Sequence, residues 1–202
     1  MSRDRTGLLE EIQALARTGL HYADDPFDRE RYERLLAIAL DGLVETTGVP
    51  EGELRERFAR EVGCITPKVG ADGVVFDDDD RVLLERRTDD GRWGLISGWV
   101  EPDEHPAETV VREAEEELGL SLVVDRLAAV RARPATADNG PHSLVAVIFL
   151  CSIVGEAEIV PNHEVLEARW WAVDDVTEWH MSHEHYTRAA LAVRHGQTPP
   201  LS

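Results

Sequence analysis

The sequence predicts an α/β fold, a sandwich of strands and helices preceded by a small N-terminal helical domain. Three observations carry this expectation. Residues 1–62 show apolar residues at helical spacing only. From Cys64 the texture changes to short strand-like runs bounded by turn residues. One strongly amphipathic helix interrupts those runs between Pro106 and Leu118, and a further helical pattern follows the last strand. Strands on both sides of a central helix, with another helix behind them, make layers of the two element types. The expected division is a helical domain over 1–62 and an α/β domain over 63–202.

The elements follow in order. Leu8, Leu9, Ile12, Leu15 and Ala16 form an amphipathic stretch that should close near Gly19. Asp24-Asp25-Pro26 is a helix start signal. Tyr32, Leu35, Leu36, Ile38, Ala39, Leu43 and Val44 then make a long stripe ending near Gly48-Val49-Pro50, and a short helix is expected from Glu51 to Glu61. Tyr22, Phe27 and Tyr32 are read as packing residues. Val69–Phe76 and Arg81–Arg86 flank the run Asp77–Asp80 and predict a hairpin. Trp93–Ile96 leads into a turn at Gly98. Further strands are expected at Leu122–Arg131, Ser143–Ile153 and Arg169–Val173, and a helix from Ser182 to His195. The long polar loop from Ala132 to His142 is placed to shape substrate access. No internal repeat is visible.

The central helix carries the chemistry. Pro106 suits a first-turn position, which needs no amide partner, and Gly119 suits the stop. Ala107, Val110, Val111, Ala114 and Leu118 form its apolar stripe. Beside that stripe Glu113, Glu116 and Glu117 lie at i, i+3 and i+4, on one face. Crowded carboxylates call for a neutralising cation, and a hard divalent ion such as Mg²⁺ takes clustered oxygen ligands. Glu115 is read as solvated.

The full pattern is Gly98, Glu104, Arg112-Glu113, Ala114, Glu116-Glu117, Gly119 and Leu120 at fixed spacing. It resembles the Nudix box, here spanning residues 98–120. The resemblance implies a Nudix α/β/α sandwich and a hydrolase that cleaves nucleoside diphosphates linked to another moiety X. It implies Mg²⁺, with Mn²⁺ as an alternative, held chiefly by Glu116 and Glu117. Glu113 would serve as a ligand or as the orienter of the attacking water. Arg112 would hold the carboxylates by bidentate hydrogen bonds, and Glu104 would anchor the loop–helix junction. The general base is expected from a loop outside the box, with Glu164 the first candidate and Glu167 the second. The family also uses a backbone carbonyl in the turn, here at Ser97. The usual Pro-Gly before the box is replaced by Ile96-Ser97, and Ser resists the positive φ that Gly tolerates.

The segment from residue 10 to about 45, around the run Ala14–Ala39, is similar to the helical domain that precedes the catalytic domain in a subset of Nudix enzymes that includes proteins acting on ADP-ribose or CDP-choline. That likeness implies a homodimer built on the N-terminal helices, which also reach toward the substrate.

Composition narrows the partners. There are 40 acidic and 21 basic residues, a net charge of −19, and Lys68 is the sole lysine. Such a surface repels nucleic acid and anionic membranes, so the expected partner is a small nucleotide substrate, with no nucleic acid and no membrane. The charge also suits a halophilic source. No apolar run is long enough to cross a bilayer, the first residues do not read as a signal peptide, and a cytoplasmic location is expected. Two cysteines, Cys64 and Cys151, make neither a disulfide framework nor a zinc site. His142, His183 and His185 are read as surface histidines. A non-catalytic ligand sensor of the same fold, a nucleoside triphosphate pyrophosphatase and an isomerase remain the alternatives.

Overall fold

The computed structural model describes residues 5–59, 66–134, 143–155 and 158–198. The expected end of the third helix at Glu61, Cys64, and the loop from 135 to 142 with His142 lie outside the described residues. The chain divides into two compact units. One comprises Met1–Pro67 and Arg133–Leu144, the other Lys68–Ala132 and Val145–Ser202.

The first unit holds α1 (Arg5–Tyr22), α2 (Pro26–Thr47) and α3 (Glu51–Ala59). Asp25 caps α2, its carboxylate accepting from the backbone N–H of Phe27 and Asp28 at 2.8 and 3.1 Å. Gly48 ends α2 in the left-handed region, φ 72°. Leu9, Leu40, Leu43 and Leu54 form the core. α1 runs on past Gly19 to Tyr22, because Gly19 is a packing site rather than a stop: the Tyr32 ring occupies the place a Cβ would take. Arg17 ties α1 to α3, donating to the Phe58 carbonyl at 2.9 Å and lying over its ring. The α2 stripe is only partly used here: Ala39, Leu40 and Leu43 are buried, whereas Leu35 and Ile38 are exposed.

The second unit holds β1 (Lys68–Val75), β2 (Val82–Arg87), β3 (Trp93–Gly94), β4 (Ile96–Trp99), α4 (Pro106–Leu118), β5 (Leu122–Arg133), β6 (Leu144–Ile153), β7 (Val165–Trp171), a 3-10 turn (Val173–Asp175) and α5 (His183–Arg194). The mixed helix-and-sheet architecture is the one expected. The strands form two sheets, ordered β4-β1-β6-β5 and β3-β2-β7. The expected β1–β2 hairpin is not formed. Both edges of β1 are taken, by β4 and β6, so β2 leaves for the other sheet, and only the bridge Phe76–Val82 joins the two. Asp77 makes that departure, accepting from the N–H of Asp79 and Arg81. The strand expected at Arg169–Val173 starts earlier, at Val165, because it pairs antiparallel along the whole of β2. Val173 turns instead into the 3-10 segment.

α4 packs on β1 and β4. Its Val110, Ala114 and Leu118 join Ala71, Val75, Leu83, Ile96 and Phe149 in one core. Gly73 allows this approach, since a Cβ there would run into the Val110 side chain. No helix among the described residues is long and apolar enough to cross a membrane.

Candidate active site

α4 is positioned at both ends. His105 caps it, Nδ1 accepting from Ala107 N–H at 3.2 Å, while Glu108 accepts from His105 N–H at 2.8 Å. Gly119 terminates it at φ 66°. With the apolar stripe turned to the core, Glu117 is carried in beside it, 5% exposed. The side chain of Glu113 is 15% exposed and that of Glu116 57%. The three glutamates expected on one face therefore grade from buried to open.

Arg112 organises the open end. Its Nε donates to Glu104 Oε1 at 2.9 Å and its Nη2 to Glu104 Oε2 at 3.2 Å. Its Nη1 donates to Glu113 Oε1 at 2.8 Å and to Glu116 Oε2 at 3.1 Å. Nη2 also lies 3.4 Å from the carbonyl of Trp99. Glu104 additionally accepts from Thr109 Oγ1 at 2.7 Å and from Glu101 N–H at 3.1 Å. The guanidinium, helped by Thr109, holds the Glu104 carboxyl down at about 2. Glu113 moves the other way, its carboxyl raised by burial against the pull of Arg112. Its carboxylate lies over Gly98, where a Cβ would collide with it. Ser97 sits in β4 opposite Asp72, without a positive φ. The left-handed residue of this turn is Asp103, φ 68°.

The buried end holds a residue that sequence reasoning missed. Glu85 on β2 is 1% exposed, and its carboxyl lies within hydrogen-bonding reach of Glu117. Burial raises the Glu117 carboxyl to about 7, with the Glu113 charge adding to the effect. Burial, then Glu117, raises Glu85 well above its ordinary range. The available signal was an acidic residue closing the apolar run Val82-Leu83-Leu84; what it faces was not written in the run itself.

The donor set suits a hard cation. All of it is carboxylate oxygen, and two of those oxygens, Glu85 Oε2 and Glu117 Oε2, are buried with no hydrogen-bond partner. Among the described residues no three His, Cys, Asp or Glu side chains are already gathered around one point. Arg112 spans Glu113 and Glu116 in their place.

Glu164 is exposed at the start of β7. Its carbonyl accepts from Thr88 N–H and Oγ1, both at 3.0 Å, which fixes the backbone there. Its charge is felt at both Glu113 and Glu117. Glu167 is turned instead to Arg86 across the β2–β7 ladder, 3.6 Å away. An open groove of about 730 Å³ runs beside α4, lined by Glu104, Val111, Arg112, Glu115, Glu116 and Val124.

His183 is not a surface residue. It lies on the inner stripe of α5 with Tyr186, Thr187 and Ala190. Its Nδ1 accepts from Leu95 N–H at 2.9 Å, and its Nε2 stands 3.5 Å from Asp72. It thus secures the strand that enters the Gly98 turn. His185 is exposed, as expected.

Comparison with known proteins adds independent findings. Residues 66–190 match the NUDIX domain family model, and residues 6–58 match a model described as a UDP-X-like, N-terminal oligomerisation domain. The chain is 32% identical over 158 residues to YjhB of Bacillus subtilis (strain 168), covering 76% of each. It is 27% identical over 133 residues to an ADP-ribose pyrophosphatase of Methanocaldococcus jannaschii, covering 64% of this chain and 76% of that protein. A crystal structure of a UDP-X diphosphatase superposes with a TM-score of 0.61 at 24% identity, over 98% of both chains. An ADP-ribose pyrophosphatase structure from Streptococcus suis gives a TM-score of 0.53 at 26% identity, over 68% of this chain and 97% of that one.

Proposed function

We propose that this chain, which belongs to the Nudix family of hydrolases, cleaves the pyrophosphate of a nucleoside diphosphate linked to X. Water adds at phosphorus and a bridging P–O bond breaks, leaving a nucleoside monophosphate and phospho-X. The observation that carries this reading is Glu117, a buried carboxylate with an oxygen that has no hydrogen-bond partner among the described residues, beside Glu113 and Glu116. The activities by which the M. jannaschii and S. suis proteins are known support ADP-ribose-like compounds as the substrate class.

Glu113, Glu116 and Glu117, with the carbonyl of Ser97, are the proposed holders of Mg²⁺, and the same oxygens suit Mn²⁺. When bound, the ion offsets pyrophosphate charge and acidifies water. Arg112 and Glu104 keep Glu113 and Glu116 in place. Glu164 is the proposed acceptor of the proton from attacking water, because its charge acts on both Glu113 and Glu117. The test is turnover of ADP-ribose, CDP-choline, a UDP-sugar and nucleoside triphosphates with Mg²⁺. Turnover of the diphosphate derivatives is expected. Binding without turnover of any of them would replace the hydrolase with a ligand sensor.

The proposed assembly is a homodimer through residues 1–62. Leu8, Leu15, Phe27, Leu35 and Ile38 are exposed apolar side chains on α1 and α2, in the segment that matches the oligomerisation-domain model. Light scattering should give twice the chain mass, and Ile38→Asp should halve it. A nucleotide substrate supports a cytoplasmic setting, and the charge of −19 a salt-rich one.

A further inference from the structure

Glu85 has no evident reason to be acidic. It sits on β2 among Leu83 and Leu84, both 1% exposed or less. An isolated carboxylate in such a place is strongly disfavoured unless it is paired. The two arginines beside the glutamate row are engaged chiefly with other carboxylates. Arg87 places its Nε and Nη2 on Asp89 at 3.0 Å each, leaving Nη1 3.9 Å from Glu85 Oε1. Arg112 is taken up by Glu104, Glu113 and Glu116. Glu85 Oε2 and Glu117 Oε2 are both buried and, among the described residues, both without a hydrogen-bond partner.

The residues directly opposite Glu85 are Gly94 on β3 and Ala168 on β7. Directly opposed residues share a sheet face, so neither of these two neighbours offers Glu85 a polar side chain.

Resting on the reading of the box as a cation site, we infer that Glu85 is a further cation ligand, and that Glu85 and Glu117 together form its inner seat. Two carboxylates suffice, because Mg²⁺ and similar ions keep several waters and take few protein ligands. The inner seat lies deeper than Glu116 and is independent of Arg112. It gives an acidic residue a role in a strand that otherwise builds core.

The test titrates Mn²⁺ alone into the metal-free protein and follows free Mn²⁺ by electron paramagnetic resonance, with no substrate present. Wild type, Glu85→Gln and Glu116→Gln are compared, and the rise in Tm on saturation with Mn²⁺ is measured for each. Glu85→Gln should weaken Mn²⁺ binding on the order of 10- to 100-fold and shrink the Tm rise. Affinity equal to or tighter than wild type in Glu85→Gln overturns the inference. Should that variant not fold, Glu85→Asp keeps the charge and withdraws the oxygen by one methylene; wild-type affinity in it is equally decisive. Glu116→Gln separates this inference from the reading beneath it. Weakening in Glu116→Gln without weakening in Glu85→Gln removes only Glu85. Absence of Mn²⁺ binding by the wild type removes the cation site as a whole.

Discussion

The two ends of the α4 glutamate row solve the same problem in opposite ways. At the open end, Glu104, Glu113 and Glu116 converge on one guanidinium, and Arg112 satisfies all three. At the buried end, Glu85 and Glu117 face each other, Arg87 Nη1 stands off at 3.9 Å from Glu85 Oε1, and one oxygen of each carboxylate has no hydrogen-bond partner among the described residues. The first arrangement is complete within the protein and fixes geometry. The second is incomplete within the protein and favours whatever brings a positive charge, whether proton or cation. Fixed geometry and unmet charge are thus divided between the two ends of the row.

The sharpest way to break this contrast is to remove one carboxylate from each end. Glu117→Gln and Glu116→Gln should each lower kcat by on the order of 10²- to 10³-fold with the fold retained, as read by steady-state kinetics and circular dichroism. The two should part in their metal-free stability, where Glu117→Gln gains and Glu116→Gln does not, because only Glu117 is a buried charge. Wild-type turnover in Glu117→Gln would detach the buried end from the chemistry.

Arg112→Ala attacks the open end alone. It strands three carboxylates, one of them held at about 2 by that guanidinium, and should cost about 2–3 kcal/mol in urea unfolding. Glu104 is also the acid sensor of this end. Its folded carboxyl lies below its unfolded value of 4.5, so it contributes stability above pH 4.5 that is lost as pH falls toward 2. Arg112→Ala should flatten that acid limb. An unchanged limb would mean that Thr109 and the Glu101 amide hold Glu104 unaided.

The buried end has the opposite pH dependence. A carboxyl raised in the folded state favours that state below its unfolded pKa, and the advantage is lost as pH rises through the folded value, about 7 for Glu117. Metal-free wild type should therefore lose stability as pH rises from about 4.5 to about 7. Glu85→Gln should remove much of that loss and melt a few degrees higher at pH 8, a shift of roughly 2–4 °C per kcal/mol. Differential scanning calorimetry with a chelator checks both, and a flat wild-type profile would count against an unneutralised pair.

Much of this was legible in the sequence. Capping and stop residues fixed α2 and α4 nearly to the residue, since Asp25, Gly48, Pro106 and Gly119 act through local backbone hydrogen bonds. The glutamate spacing placed Glu113, Glu116 and Glu117 on one face, and Arg112 and Glu104 met because they stand two turns apart on and before one helix. What failed was long-range. β1 and β2 look like a hairpin because only neighbouring sequence is visible, whereas the competing partners β4, β6 and β7 come from later in the chain. Glu85 was missed for the same reason: its meaning comes from Glu117, on a helix more than thirty residues on. His183 was misread because exposure depends on which face of α5 is covered, not on its being a histidine.

Salt offers the finest separation of the two ends. The net charge of −19 implies self-repulsion across the surface, and molar salt shortens the Debye length to roughly 3 Å. Thermal unfolding in KCl, with a chelator to remove divalent ions that bind the folded state, should therefore show Tm rising with salt. Open-end charges take part in this. Glu116 is over half exposed, so salt screens both its repulsion by neighbouring carboxylates and its attraction to Arg112. The repulsion between Glu85 and Glu117 is beyond the reach of screening ions, because both are 5% exposed or less. The melting curves of wild type and Glu85→Gln should accordingly rise in parallel as KCl is raised to molar concentration, keeping the same small gap. Curves that converge would show that ions reach the inner pair, and that its charge is already met by solvent.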